Sequence, residues 1–244
     1  MASIKLVSLN VERRRHVDVV ENFLARQNPD VVCFQELAEA DVDRFKNAIG
    51  AASHRFVPMT RELELGGSTI VHGLGIFSRV PLMRVDAFYY VGEREHLPDT
   101  QESKPNSFSF ENRILLIGDL EKAAKTFRVG TTHFTWTKEG KATDLQREHL
   151  RKLLDLLKDE KLVLCGDFNA PRGGEIFSRL TARFKDNIPA HYTSSLDPLL
   201  HRAAPLELMV DGLFTTAEYT ASNVELISGL SDHKAIVATI SKDN

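Results

Sequence analysis

Short apolar runs rich in β-branched residues recur along the whole chain, and this rhythm limits the possible folds more than any other feature. Ile4 to Leu9, Asp30 to Phe34, Leu74 to Phe77, Leu82 to Tyr90 and Arg113 to Leu120 predict strands in the first half. Thr126 to His133, Lys161 to Cys165, Leu208 to Thr215, Asn223 to Ile227 and Lys234 to Ile240 predict them in the second. Helices are few. Val17, Val20, Phe23 and Leu24 fall at helical spacing between His16 and Gln27, and Pro29 is a stop signal. A second helix is predicted from about Asp144 to Lys158. It carries Leu150, Leu153, Leu154 and Leu157 on one face, with Thr143 and Gln146 as a capping box. Each half runs strand, helix, strand, then further strands, with no linker-like boundary. The pattern predicts one α/β domain over residues 1–244, two sheets packed face to face with helices outside. Met59 to Gly73, Gly92 to Ser107 and Pro189 to Pro205 are expected as long loops.

The charge balance limits partners. Among 244 residues, 31 Lys and Arg stand against 34 Asp and Glu, a formal net charge of −3. That disfavours a strongly basic nucleic-acid binder but leaves room for a local phosphate-binding patch. The start, MASIKLVSLN, shows no basic flank followed by a long apolar run. No apolar stretch reaches the roughly 18 residues of a membrane span. Cys33 and Cys165, the two cysteines, sit inside apolar strands and read as buried thiols in a reducing compartment. A cytoplasmic monomer with no membrane attachment and no obligate protein partner is expected.

Chemistry enters where polar residues interrupt the strands. Asn10-Val11-Glu12 closes the first strand, and Gln35-Glu36 follows four apolar residues. Gly166-Asp167-Phe168-Asn169 repeats that design, and Ser231-Asp232-His233 precedes the last strand. Taken singly, each residue suits a turn. Together, each at a strand end, they resemble a site on rigid supports. Cleaving a phosphate ester needs hard oxygen ligands for a metal, a group acting on water, and donors for phosphoryl oxygens. Glu36 suits Mg²⁺, Asn10 offers a carbonyl ligand, Asp167 a group to orient or deprotonate water, and Asn169 and His233 donors to phosphate.

In this order, over residues 4 to 240, the four motifs resemble those of the endonuclease/exonuclease/phosphatase superfamily. The resemblance implies a four-layer α/β sandwich, two mostly antiparallel sheets flanked by helices, and a hydrolysis dependent on Mg²⁺ or Mn²⁺. It makes Glu36 the principal metal ligand, with Asn10 and Asp232 near the metal and phosphate. Asp167 then acts on the attacking water, and Asn169 holds a phosphoryl oxygen. Asp211, in Met209-Val210-Asp211-Gly212, matches a late carboxylate that orients the terminal histidine. His233 in turn binds phosphate or acts as base. His133 matches a mid-chain histidine that protonates the leaving group or contacts phosphate. Glu12 departs from the pattern, since many nucleases of this type carry Asp there, and it is expected to reach the metal differently or through water. No counterpart of the mid-chain tyrosine of exonuclease III-type repair enzymes is evident, which disfavours an abasic-site endonuclease.

Arg13, Arg14 and Arg15 follow the first motif and are expected on a rim where they contact phosphates. Trp136, with Phe134, is read as a stacking wall for a base, and Arg113 as directed at phosphate. The leading expectation is a phosphodiesterase on nucleic acid, DNA first, using direct attack of an activated water. Two others stay open: a phosphatase or phospholipase-type hydrolase of a small phosphorylated molecule or lipid, and a catalytically silent binding protein of the same fold.

Overall fold

In the computed structural model, which describes residues 2–202 and 206–242, the apolar runs pair into two sheets. In chain order the strands begin with β1 (Ser3–Asn10), β2 (Val31–Ala38), β3 (Ser53–Leu63), β4 (Thr69–Ser78), β5 (Leu82–Val91) and β6 (Asp99–Gln101). They continue with β7 (Arg113–Lys122), β8 (Lys125–His133), β9 (Val163–Asp167), β10 (Lys185–Asp186), β11 (Asp211–Thr215), β12 (Tyr219–Ile227) and β13 (Ala235–Lys242). The helices are α1 (Val17–Gln27), α2 (Val42–Ile49), α3 (Asp144–Leu156) and α4 (Glu175–Thr181). One sheet has the order β12-β13-β1-β2-β4-β3-β6 and the other β10-β11-β9-β8-β7-β5. Most neighbours are antiparallel. Three pairs are parallel: β1–β2 and β8–β9, each bridged by a helix, α1 or α3, and β3–β6, bridged by β4 and β5. Parallel neighbours need such a crossover.

Alternation along the strands sorts apolar side chains into three cores. Leu6, Val31, Cys33 and Ile76 of the first sheet meet Leu116, Val129, Cys165 and Leu213 of the second. The outer face of the first sheet, with Val7, Leu9 and Phe34, is covered by Val20, Phe23 and Leu24 of α1 and Phe45 of α2. The outer face of the second, with Leu115, Ile117 and Leu164, is covered by Leu150 and Leu153 of α3 and Phe177 and Leu180 of α4. Helix, sheet, sheet, helix: the four layers follow from which face of each strand is apolar. Each buried Leu or Phe contributes roughly 1.5–3 kcal/mol.

Several expectations need correction. Met59 to Gly73 is not a loop but the heart of the β3–β4 hairpin, closed by a short turn in which Gly67 N donates to Glu64 O (3.0 Å). The hydropathy of β3 is inverted there: Thr60 and Glu62 are buried whereas Leu63 is exposed. Gly92 to Ser107 contains β6 and the start of a 3₁₀ turn, Pro105–Phe110. Residues 189–202 hold one isolated bridge, Leu196 to His233, and positions 203–205 of that expected loop lie outside the described residues. Thr143 caps α3 by accepting from Gln146 N (3.2 Å). The capping box is not closed, because the Gln146 amide donates to Thr135 O (2.7 Å) and Asn169 O (3.3 Å) instead. Cys33 and Cys165 are free and buried on facing sheets. Among the described residues, no helix is long and apolar enough to cross a membrane.

Candidate active site

Three backbone devices gather the polar residues at one end of the sandwich. The first is a bulge in β2: pairing with β4 shifts between Phe34 and Leu37, and Glu36 takes a left-handed φ of 51°. Glu36 thus sits inside a strand rather than after it. A bulge re-aims a side chain, and here it turns a carboxylate out of the alternation that would have buried it in the sheet. The chain leaving β1 follows the bulge, with Val11 N donating to Gln35 O (3.0 Å) and Arg13 N to Glu36 O (3.1 Å).

The second device is register. His133 on β8 is paired with Asp167 on β9, which is paired with Asp211 on β11. Residues in one row across neighbouring strands point to the same face, about 4.8 Å apart. Gly166 makes the approach possible: with φ at 138°, a Cβ there would meet Thr132 O at 2.1 Å. The third device is the loop before β13, whose Leu196–His233 bridge delivers His233 to the end of that row.

The resulting contacts are close. Asn10 Nδ2 donates to Glu36 Oε1 (3.1 Å) and to Asp167 Oδ2 (3.1 Å), tying the first sheet to the second. Its Oδ1 accepts from Glu12 N (3.1 Å). His133 Nε2 lies 3.5 Å from Asp167 Oδ2 and 3.8 Å from Glu36 Oε1. His233 Nε2 lies 3.7 Å from Asp167 Oδ2, while its Nδ1 is 2.8 Å from Asp211 Oδ2. Asn169 donates its backbone N–H to Asp167 Oδ1 (2.8 Å) and its amide to Phe134 O (3.0 Å). Ser195 Oγ accepts from Val210 N and Asp211 N (3.0 Å each), fixing the start of β11.

Charge follows from these distances. Burial would raise Glu36, but the Arg13 guanidinium, then His133 and His72, bring it down to about 2. Asp167 behaves alike: burial is outweighed by His233 and His133, and its pKa falls to about 2. Burial would lower His233, yet Asp211, Asp167 and Asp232 together hold it well above the ordinary value. His133 is raised in the same way, chiefly by Asp167 against burial. Burial raises Asp211, and burial followed by Asp232 raises Glu12.

These groups line a cavity of about 720 Å³. Glu12, Arg13, Glu36, Arg113, His133, Trp136, Asp167, Asn169, Asp232 and His233 reach it. Asn10 and Asp211 stand behind it, holding Glu36, Asp167 and His233. The three consecutive arginines are not alike. Arg13 is buried and its Nη1 donates to both oxygens of Glu62 (2.6 and 2.7 Å), Arg14 pairs with Asp41 (3.0 Å), and Arg15 with Glu12 and Glu102 (3.1 Å each). Arg113 is equally committed: it donates to His133 O (3.2 Å) and Phe108 O (2.8 Å) and pairs with Glu111 (3.0 Å). Phe134 is core, stacked on Tyr90, whereas Trp136 is 41% exposed on the cavity wall.

No sequence motif marks Glu62 and His72, whose carboxylate and Nε2 lie 3.1 Å apart beneath Arg13. Nor does any motif mark Arg202, which pairs with Glu102 (2.6 Å) and Glu12 (3.3 Å) at the mouth. Glu62 and His72 fell in the supposed loop; the one available signal was the alternation Thr60, Glu62 against Arg61, Leu63. Asp167, Asp211 and His233 also place one ligand atom each within 4.8 Å of one another. Asp211 holds the Nδ1 of His233, which leaves its Nε2 facing Asp167.

A family model described as the Endonuclease/Exonuclease/phosphatase family matches residues 7–233. No curated protein matches the chain. Among solved structures, a Bacteroides thetaiotaomicron mannosyl-6-phosphatase is similar at TM-score 0.69 and 13% identity, over 98% of this chain and 99% of that one. A humanized D. rerio TDP2 is similar at TM-score 0.69 and 18% identity, over 98% and 99%. The human Nocturnin catalytic domain with bound sulfate is similar at TM-score 0.69 and 16% identity, over 99% and 94%. At such identities the likeness is one of fold.

Proposed function

We propose a function from one premise: the chain belongs to the endonuclease/exonuclease/phosphatase family, a family of phosphoric ester hydrolases. On this reading residues 1–244 form one catalytic domain that hydrolyses phosphate esters by direct attack of water, with Mg²⁺ or Mn²⁺ bound. The observation that carries it is the surround of Asp167: Asn10, His133 and His233 all lie within 3.7 Å of one carboxylate oxygen.

The donor set fits a hard divalent cation. Glu36, Glu12 and Asp232 are hard oxygen donors that all reach the cavity, and Asp232 and Glu36 raise the buried Glu12 while its pairs with His16 and Arg15 lower it. Glu36, Glu12 and Asp232 would hold the ion, with Asn10 as the amide bridge behind them. A bound Mg²⁺ or Mn²⁺ supplies Lewis-acid stabilisation of phosphoryl charge. With a pKa of about 2, Asp167 is a weak base, so its part is to orient the attacking water. His133 and His233, both shifted toward the protonated form, donate to phosphoryl or leaving-group oxygen. Asp211 fixes the His233 tautomer. Asn169 keeps one amide N–H for a phosphoryl oxygen after donating the other to Phe134 O.

For the substrate, two readings differ. Nucleic acid as substrate calls for free cations at Arg13, Arg14 and Arg15, and each of these is already paired with carboxylates. A cavity of about 720 Å³ lies within the 300–1,000 Å³ typical of small-molecule sites, which favours a compact ester or the end of a strand. The test is Glu36→Gln beside wild type on labelled DNA and RNA, a bis-aryl phosphodiester, an aryl phosphomonoester, sphingomyelin and inositol polyphosphates. Turnover should need Mg²⁺ or Mn²⁺ and fall on the order of a thousandfold or more in the variant. Full turnover in excess EDTA sinks the metal mechanism, and no turnover on any substrate favours a silent binding protein.

A further inference from the structure

Away from the ester-cleaving cavity, each sheet ends in a strand with a free edge. β5 closes the second sheet, with β7 on one side and no strand on the other among the described residues. β6 covers β3 only over Arg61–Leu63, so the outer edge of β3 has no strand beside it over Ser53–Pro58. The two edges are tied at one end, where Leu82 N donates to Ser53 Oγ (3.1 Å). Between them runs a groove of about 530 Å³, lined by Val85 to Phe88 of β5, His54 and Arg55 of β3, and Arg94. None of these residues reaches the other cavity. Consecutive strand residues alternate between two faces, so one groove touches Val85, Asp86, Ala87 and Phe88 together only along the edge of the strand.

An edge strand presents unpaired N–H and C=O groups, and bulges or charges commonly blunt it. β5 has a register shift at each end, between Leu82 and Arg84 and between Tyr89 and Val91, but Arg84 to Tyr89 pair evenly with β7. The groove lies along that even stretch. Its charge is one-sided. Arg55 and Arg94 are exposed and form no ion pair or side-chain hydrogen bond among the described residues. Asp86, the carboxylate of the groove, is already answered by Arg84 (2.6 Å). Burial raises the Tyr89 phenol while Arg94 and Arg55 lower it, so both guanidiniums stand near one ring. Glu93 and Glu95 flank Arg94 without lining the groove. His54 is held against Phe77, with ring centroids 5.2 Å apart, which gives the first-sheet wall a fixed shape. A nucleic acid would use the charges but not the backbone edge, and a second copy of this edge would bring the same two arginines against them. An acidic peptide uses both features. We infer that the groove between β3 and β5 binds an extended acidic segment of a partner protein, added to β5 as a further strand with its carboxylates toward Arg55 and Arg94. At roughly 3.3 Å per residue, Val85 to Phe88 seat about four of its residues.

The test uses the full chain and a fluorescent hexapeptide of alternating glutamate and valine. Beside it stand the same peptide N-methylated at every amide, a lysine–valine hexapeptide and oligothymidylate. Anisotropy reads affinity, and amide hydrogen exchange reads place. The glutamate peptide should bind roughly tenfold or more tighter than the lysine and N-methylated peptides, and should slow exchange at β5 amides between Val85 and Phe88. Arg55→Glu combined with Arg94→Glu should weaken it by about tenfold or more. Far-ultraviolet circular dichroism should stay unchanged in that variant, since neither side chain has an ion-pair partner to lose. Glu36→Gln should bind the peptide as wild type does. No binding of the glutamate peptide, equal binding of its N-methylated form, or protection confined to the ester-cleaving cavity overturns the inference. Displacement of the peptide by oligothymidylate through Arg55 and Arg94 gives the groove to nucleic acid and overturns it as well.

Discussion

The two sheets solve one electrostatic problem in different ways. Each must keep a carboxylate ionised, one partly and one fully buried, and each brings it to about 2: Glu36 on the first sheet and Asp167 on the second. The first sheet uses Arg13, a cation that cannot lose its proton, clamped by Glu62 with His72 behind. The second uses imidazoles, His233 and His133, whose charge depends on pH. The field on the first side is therefore mostly fixed, since Arg13 leads His133 and His72 in lowering Glu36, and that on the second depends on titrating imidazoles. A divalent cation suits the former and general acid–base work the latter.

The sharpest test of this contrast is in the proton-bearing side. Asp211→Asn and His233→Ala should each slow turnover by on the order of 10²–10³, and the double variant should be little worse than the worse single one. Steady-state kcat on one ester, measured for all four proteins, decides it. Losses that multiply would dissolve the Asp211–His233 unit. Next in size is the fixed-charge side. Arg13→Met strands Glu62 and Glu36 without their cation and should cost about 3–5 kcal/mol by denaturant unfolding. Arg14→Ala, removing a half-exposed pair with Asp41, should cost no more than about 1 kcal/mol. Similar costs for the two would erase the distinction between neighbouring arginines.

The smallest effect is in pH. His233 has a folded pKa above its unfolded value of about 6.5. Its protonated form thus favours the native state. That stabilisation is complete below about pH 6.5 and is lost as pH rises through the folded pKa. In EDTA, the melting temperature of wild type should decline on this alkaline side, and His233→Ala should decline less. Arg13 contributes no such limb, so a steeper alkaline loss in Arg13→Met than in wild type would contradict the assignment of fixed charge to the first sheet.

Much of this is legible in the sequence. The apolar runs that became β1, β2, β7, β8, β9 and β13 are clear because both faces are largely buried, so each reads as a nearly continuous apolar stretch. Asn10, Asp167, Asn169 and His233 were findable because a polar residue at the end of such a run stands out. Glu36 was found for the same reason, though it sits in a bulge that the sequence does not announce. The β3 strand was lost because its hydropathy is inverted, with Glu62 inside and Leu63 outside. A charged residue in a sequence reads as solvent-facing unless its partner is known, and those of Glu62 are Arg13, forty-nine residues earlier, and His72.

The sequence by itself determined the layers and the order of the motifs, because burial of alternating faces is a local pattern that repeats wherever the chain is extended. Which charges meet was decided only by the tertiary structure. Arg13, Arg14 and Arg15 are equivalent in the sequence, yet one lies buried between Glu62 and Glu36 and the others are spent on Asp41, Glu12 and Glu102. Coulomb energy falls with distance through space and depends on the local dielectric, and neither quantity is defined until strands far apart in the chain are brought side by side.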